Sequence, residues 1–228
     1  MRKNNTYYIR KIHRFLGVFI GIQFLFWTLS GLYFSWTDID EIHGDQFHET
    51  HEMKIPTHQL IPLTKIDSSL VLEQVELRFV NHKPYYWVNE ATLYDALTGQ
   101  VHGEITEEEA KAIAASHVKG EFKVISAEYL TETGPHHEYR ERPLPAWAIR
   151  FDHPEAITVY IDAKNGAFER VRHRDWRWFD FLWMFHTMDY AGRDNFNNTL
   201  LRAFSLFGLI TILSGFTLFF MTQKKRMY

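Results

Sequence analysis

Residues 10–36 read RKIHRFLGVFIGIQFLFWTLSGLYFSW, and their charge pattern decides the architecture of the chain. From Phe15 to Trp36 there are 22 residues without a charge, and about 20 apolar residues suffice for a helix to cross a hydrocarbon core about 30 Å thick. The segment before that run carries Arg2, Lys3, Arg10, Lys11 and Arg14 and no acid. A second apolar run, Ala203 to Met221, ends before Lys224, Lys225 and Arg226. All 28 acidic residues fall between Asp38 and Asp194. Short basic flanks stay on the cytoplasmic side, so the reading is two spans, both ends inside and the acidic middle outside. A cleaved signal peptide is the rival reading of the first run. Signal-peptide apolar regions are only about 7–15 residues long and end in small residues, whereas this one ends in the aromatic-rich Leu32-Tyr33-Phe34-Ser35-Trp36.

The expected fold class is therefore an α+β membrane protein, with two transmembrane helices flanking an extracytoplasmic α/β domain that holds two related hairpins. The boundaries are a cytoplasmic basic tail at 1–14, span 1 at 15–36, the outer domain at 37–173, an interfacial aromatic helix and turn at 174–198, span 2 at 199–221 and a cytoplasmic tail at 222–228. An overall net charge of −3 with 46% hydrophobic residues hides this segregation. With no cysteine in the chain, disulfides, thiolate metal sites and iron–sulfur clusters are excluded. Histidine is the abundant ligand type, and 12 of the 13 lie beyond the first span.

In the middle segment Asp95-Ala96-Leu97-Thr98-Gly99 and Asp162-Ala163-Lys164-Asn165-Gly166 share the pattern Asp-Ala-x-x-Gly, 67 positions apart. Asp followed by Gly is turn chemistry, since Gly supplies the positive φ that closes a hairpin. Strand-like runs precede the motifs, Tyr85 to Val88 in the first copy and Ala156 to Ile161 in the second. Between them, Thr106-Glu107-Glu108-Glu109 predicts a capped helix running to about His117, because the Thr oxygen and the early acids satisfy its free amides. Phe122 to Leu130 and Ala146 to Phe151 alternate as strands should.

These residues resemble a known family. Helix, strand, strand and a hairpin closing on Asp162-Ala163-Lys164-Asn165-Gly166 look like a PepSY domain. Arg10 to Gly17 resembles the opening of the first span in PepSY-associated transmembrane proteins. Phe185-His186-Thr187, Gly192-Arg193 and Leu213-Ser214-Gly215-Phe216 are similar to that family's His-Thr-Gly motif and the helix after it, with Met188 where the family usually has Gly. The longer iron-uptake and siderophore-reductase members have four or more spans. The resemblance implies haem b, bound through His13 and His186, and transmembrane electron transfer linked to iron or siderophore reduction or uptake.

In antiparallel packing, Ser214-Gly215 would lie at the level of His13 and Ser30-Gly31 at the level of His186. Each histidine would then face a small-residue gap, and imidazole is an axial ligand of haem iron. The plainer reading is that Gly17-x-x-x-Gly21 and the Ser-Gly steps are helix-packing faces and that His13 meets lipid headgroups. One chain offers one histidine per membrane level, so a homodimer, or a complex with another membrane subunit, would supply the second ligand through an interface containing Gly17, Gly21 and Gly215.

His43, His48 and His51, interleaved with Asp45, Glu49 and Glu52, form a second group, suited to zinc, copper or iron if helical, or else a solvated linker with His58 beyond it. His136-His137 reads as an exposed loop. Trp176 to Phe185 reads as a helix in the outer interface, where tryptophan is favoured, with a buried core helix as the other reading. No nucleotide loop, Rossmann fingerprint, nucleophile elbow or His-Glu-x-x-His pattern is present, and no nucleic-acid partner is expected. Two other classes stay open: a regulatory interaction module with a bacterial-type inner-membrane anchor, and a metal-binding accessory subunit using His43, His48 and His51.

Overall fold

The computed structural model describes residues 5–50, 54–66 and 71–224. The chain divides into two compact units, one built from Met1–Thr37 with Trp178–Tyr228 and the other from Asp38–Arg177.

The first unit contains α1 (Asn5–Trp36) and α5 (Thr199–Lys224), whose segments Tyr7–Trp36 and Thr199–Thr222 are long and apolar enough to cross a membrane. Only 17% and 11% of their apolar windows are buried, so neither is the core helix of a soluble domain. Phe15, Val18, Ile22, Leu209, Leu213 and Phe216 are exposed, which costs free energy in water and none in lipid. The helices run antiparallel, with His13 against Ser214 and Phe24 against Gly208. A Cβ at Gly208 would come within 2.9 Å of the Phe24 ring, so the missing side chain is what admits the phenyl group. Within the described residues the chain is already helical at Asn5, so Arg10, Lys11 and Arg14 lie on α1. No Pro or Gly interrupts Asn5 to Leu16, and long basic side chains reach polar surroundings from a helix without breaking it.

The second unit holds a short helix α2 (Ile39–His43) and then two antiparallel four-stranded meanders. The first is β1 (Val75–Val80), β2 (Lys83–Val88), β3 (Thr92–Asp95) and β4 (Val101–His102), in that spatial order. α3 (Glu107–Ser116) follows. The second meander is β5 (Val124–Leu130), β6 (Ala146–Phe151), β7 (Thr158–Asp162) and β8 (Phe168–Arg172). α4 (Arg174–Thr187) begins in this unit and runs into the first. The capping box at α3 is complete: Thr106 Oγ1 accepts from the Glu109 amide, and the Glu109 carboxylate accepts from the Thr106 amide at 2.9 Å. Ala110, Ile113 and Ala114 of α3 share one core with Val80, Leu93, Ile149, Val159 and Ile161, so both meanders contribute to a single hydrophobic cluster.

The internal echo is a structural repeat. The Gly99 amide donates to the Asp95 carbonyl at 2.8 Å and the Gly166 amide to the Asp162 carbonyl at 2.9 Å, with φ of +80° and +71° at the two glycines. Each Asp side chain accepts a backbone amide two residues on, from Leu97 and from Lys164. The Ala96 amide donates to Pro84 and the Ala163 amide to Pro145. Tyr86 Oη and Trp147 Nε1 both donate to an isoleucine carbonyl, Ile61 at 2.9 Å and Ile105 at 2.7 Å. The strand entering the first motif is β3, not the Tyr85–Val88 run, which is the next strand back in the meander. After Ile105 comes the full helix α3, whereas Leu63–Lys65, after Ile61, makes a single 3-10 turn.

Candidate functional site

Both histidines singled out in the membrane unit are tied to a serine on another helix. His13 Nδ1 lies 2.8 Å from Ser214 Oγ, and His186 Nδ1 lies 2.8 Å from Ser30 Oγ. Ser214 Oγ already donates to the Thr211 carbonyl and Ser30 Oγ to the Phe26 carbonyl, both at 2.8 Å. A hydroxyl has one proton, and when it goes to the carbonyl the imidazole Nδ1–H is the donor to the serine oxygen. In that tautomer the free lone pair is on Nε2, which makes no hydrogen bond to any described residue in either ring. The second-nitrogen hydrogen bond is the feature that fixes tautomer and orientation in metal-ligating histidines. Both side chains are half-buried.

The small-residue gaps differ from one another. A Cβ at Gly215 would come within 3.2 Å of His13 Cε1, so His13 occupies that gap itself. At Gly17, Gly21 and Gly31 nothing lies within 4 Å of such a carbon. His13, Gly17 and Gly21 follow one another at four-residue intervals, which puts them along one ridge of α1. Along that ridge the space beside Gly17 and Gly21 is open.

The C-terminal half of α4 packs along α1 rather than across it: Phe179 meets Phe34 at a tilt with ring centroids 4.6 Å apart, and Phe185 stacks on Phe26 at 5.4 Å. The helix ends where its last carbonyls would be stranded among apolar groups, and side chains satisfy three of them. Gln23 Nε2 donates to the Phe185 carbonyl at 3.2 Å, Trp27 Nε1 to that of His186 at 2.9 Å, and Asn198 Nδ2 to that of Thr187 at 3.0 Å. Sequence reasoning passed over Gln23, although a lone amide inside an apolar run is itself a signal of interhelical hydrogen bonding. Met188 follows at φ +54°, which is why a glycine suits this position in the motif. Asp189 then accepts amides from Asn195, Gly192 and Ala191, which hold its carboxyl below the ordinary range, the Asn195 bond contributing most. Arg193 pairs with the buried Asp180. The turn that follows His186 is thus tied by side-chain hydrogen bonds and an ion pair.

The second histidine group is arranged differently. His43 ends α2 and is exposed. His48 is in extended conformation, bridged to Val118, so the helical face that would align it with His51 is not formed there. Its ring stacks on Phe168 at 4.3 Å and lies 5.7 Å from His117. Burial, then the neighbouring His117, lowers its pKa from the ordinary value. His51 lies outside the described residues. Among the described residues, His43 and His48 do not meet a third histidine or carboxylate in ligating range. His58 is exposed in a 3-10 turn, and His137 Nδ1 accepts the Tyr139 amide at 3.0 Å.

Two lipid-compatible antiparallel helices on either side of a folded domain of two meanders define a two-span membrane protein. The family described as the PepSY-associated TM region matches residues 2–221, and the chain belongs to it. Membership makes it a membrane protein with a PepSY domain. Neither the comparison with curated proteins nor that with solved structures gave a match.

Proposed function

We propose that this protein binds haem b through His13 and His186 in a bacterial inner membrane and passes electrons across it, as a component of iron or siderophore-bound metal reduction. The observation that supports this reading is the pair of Nδ1-to-serine hydrogen bonds, which orient two imidazoles and leave Nε2 without a partner among the described residues, at two levels of one helical unit. The two α1 positions concerned, His13 and Ser30, are about 26 Å apart along the axis at about 1.5 Å per residue. They would serve two separate groups, one near each face. Haem, when bound, supplies the one-electron couple; the chain supplies the ligands, their orientation and an apolar surround. The donor on the cytoplasmic side is a quinol or a reduced partner protein, and the acceptor outside is a ferric complex.

His13 and His186 are the only histidines of the membrane unit, so a second axial ligand at each level comes from a second copy. A homodimer with twofold symmetry places like against like. Its face is the open ridge of Gly17 and Gly21, while Gly215 is taken up by His13 of the same chain. Both termini are cytoplasmic and the PepSY domain is periplasmic, as the basic ends require.

The test is the absorption spectrum of the protein purified from haem-replete cells. A six-coordinate low-spin haem signal is expected, lost at one level in His186→Ala and broadened in Ser30→Ala, where the imidazole is unanchored. Equal haem content in wild type and His186→Ala refutes the assignment. Absence of haem in all of them leaves the domain's acidic outer surface, and hence a regulatory docking role, as the better reading.

A further inference from the structure

In the outer unit three hydrogen-bond acceptors meet with no donor among them. A ring nitrogen of His173 and one carboxylate oxygen each from Glu155 and Asp175 lie within 4.8 Å of one another. His173 follows β8, Glu155 lies in the turn between β6 and β7, and Asp175 is in the first turn of α4.

His173 is only 1% exposed. Its Nε2 lies 3.1 Å from the Ile42 carbonyl, so Nε2 carries the proton, and the nitrogen left for a ligand is Nδ1. Nδ1 is buried and makes no hydrogen bond to any described residue, and the same holds for Glu155 Oε2. Buried lone pairs of this kind are rarely left bare. Arg174 does not fill the gap: its Nη2 donates to the other Glu155 oxygen, Oε1, at 2.8 Å, and its Nε stands 4.0 Å from Asp175 Oδ1. The imidazole is locked edge-on against Phe47, centroids 5.1 Å apart, and its Cδ2 would lie 3.7 Å from any Cβ at Gly44. A backbone carbonyl on the far ring nitrogen and a ring fixed by packing are the arrangement that orients metal-binding histidines.

We infer that Glu155, His173 and Asp175 form a binding site for a divalent first-row transition cation of the zinc type. One imidazole and two carboxylates are a donor set that zinc accepts, whereas magnesium and calcium prefer oxygen alone. Ligands at about 2.0–2.2 Å from zinc sit roughly 3.3–3.6 Å apart in tetrahedral geometry. Exposed Asp175 swings in to close that distance, and water takes the fourth position from the solvent side. The site is separate from His43, His48 and His51 and from the membrane histidines.

The experiment uses the full chain in detergent micelles, stripped with EDTA and titrated with zinc sulfate in a calorimeter at neutral pH. One site per chain is expected. Asp175→Asn and Glu155→Gln should each weaken it by at least about tenfold, and the double variant should lose it with haem content unchanged. Asp175 is exposed, so Asp175→Asn keeps the fold and decides the matter even if Glu155→Gln misfolds. A double-variant isotherm that superimposes on wild type, or no zinc uptake by the wild type at about 100 μM, overturns the assignment. So does a site lost only in His43→Ala or His48→Ala.

Discussion

Gly99→Ala and Gly166→Ala place the same methyl group at equivalent turns of the internal repeat, and the structure predicts unequal costs. Both glycines have φ in the left-handed region, +80° and +71°, where an L residue is disfavoured by about 1–2 kcal/mol. At Gly166 the new Cβ would stand 3.1 Å from Val80 Cγ2, 3.2 Å from Ile113 Cδ1 and 3.4 Å from Ile105 Cδ1. Those three side chains are at most 3% exposed and sit where β1, α3 and the segment before α3 converge, so none has room to retreat. Overpacking of that kind adds about 1–3 kcal/mol. At Gly99 the close atom is Ile61 Cδ1 at 2.9 Å, the far end of a side chain that is only half-buried and free to turn. The second cost is then nearly absent. Gly166→Ala should destabilise the second unit by about 2–5 kcal/mol and Gly99→Ala by about 1–2 kcal/mol. In urea unfolding of the full chain, followed by tryptophan emission, the midpoints should differ by about 0.5–1.5 M for a slope near 2 kcal/mol per molar. A midpoint for Gly99→Ala at or below that of Gly166→Ala would refute the packing argument.

A reporter active only outside the cytoplasm should work when fused near Gly120 and fail after Tyr228; the reverse pattern would invert the topology. The second unit should loosen as pH falls below about 6.5, because the folded state holds the His48 pKa beneath the ordinary value of 6.5 and the unfolded chain takes up the proton first. That contribution is complete above pH 6.5 and lost as pH drops toward the depressed pKa. Exchange of the Glu49 and Lys119 amides, bonded to His117 and Phe47 carbonyls at 2.8 and 2.9 Å, reports it, and a His48→Gln variant with the same pH response would contradict the assignment. Gly17→Leu fills open space and should leave the monomer folded while abolishing cross-linking of the proposed dimer in membranes; undiminished cross-linking would exclude that face.

What was legible in the sequence is what neighbours along the chain decide. The two spans follow from uninterrupted apolar runs. The start of α3 follows from Thr106 and Glu109, three positions apart. The turns at Gly99 and Gly166 follow from a backbone angle that only glycine adopts freely. Even the level at which His13 and His186 face Ser214 and Ser30 followed from antiparallel helices of known rise. The tertiary structure alone decided how those gaps are used, with His13 filling the space at Gly215 while the ridge from Gly17 to Gly21 stays open. It alone joined both meanders into one core, capped the last turn of α4 with Gln23 and Trp27, and brought Glu155 beside His173 and Asp175. Periodicity and turn chemistry operate over a few residues, but contacts between distant positions depend on which packing leaves the fewest voids and the fewest buried polar groups unpaired, a property of the whole fold that no local stretch of sequence carries.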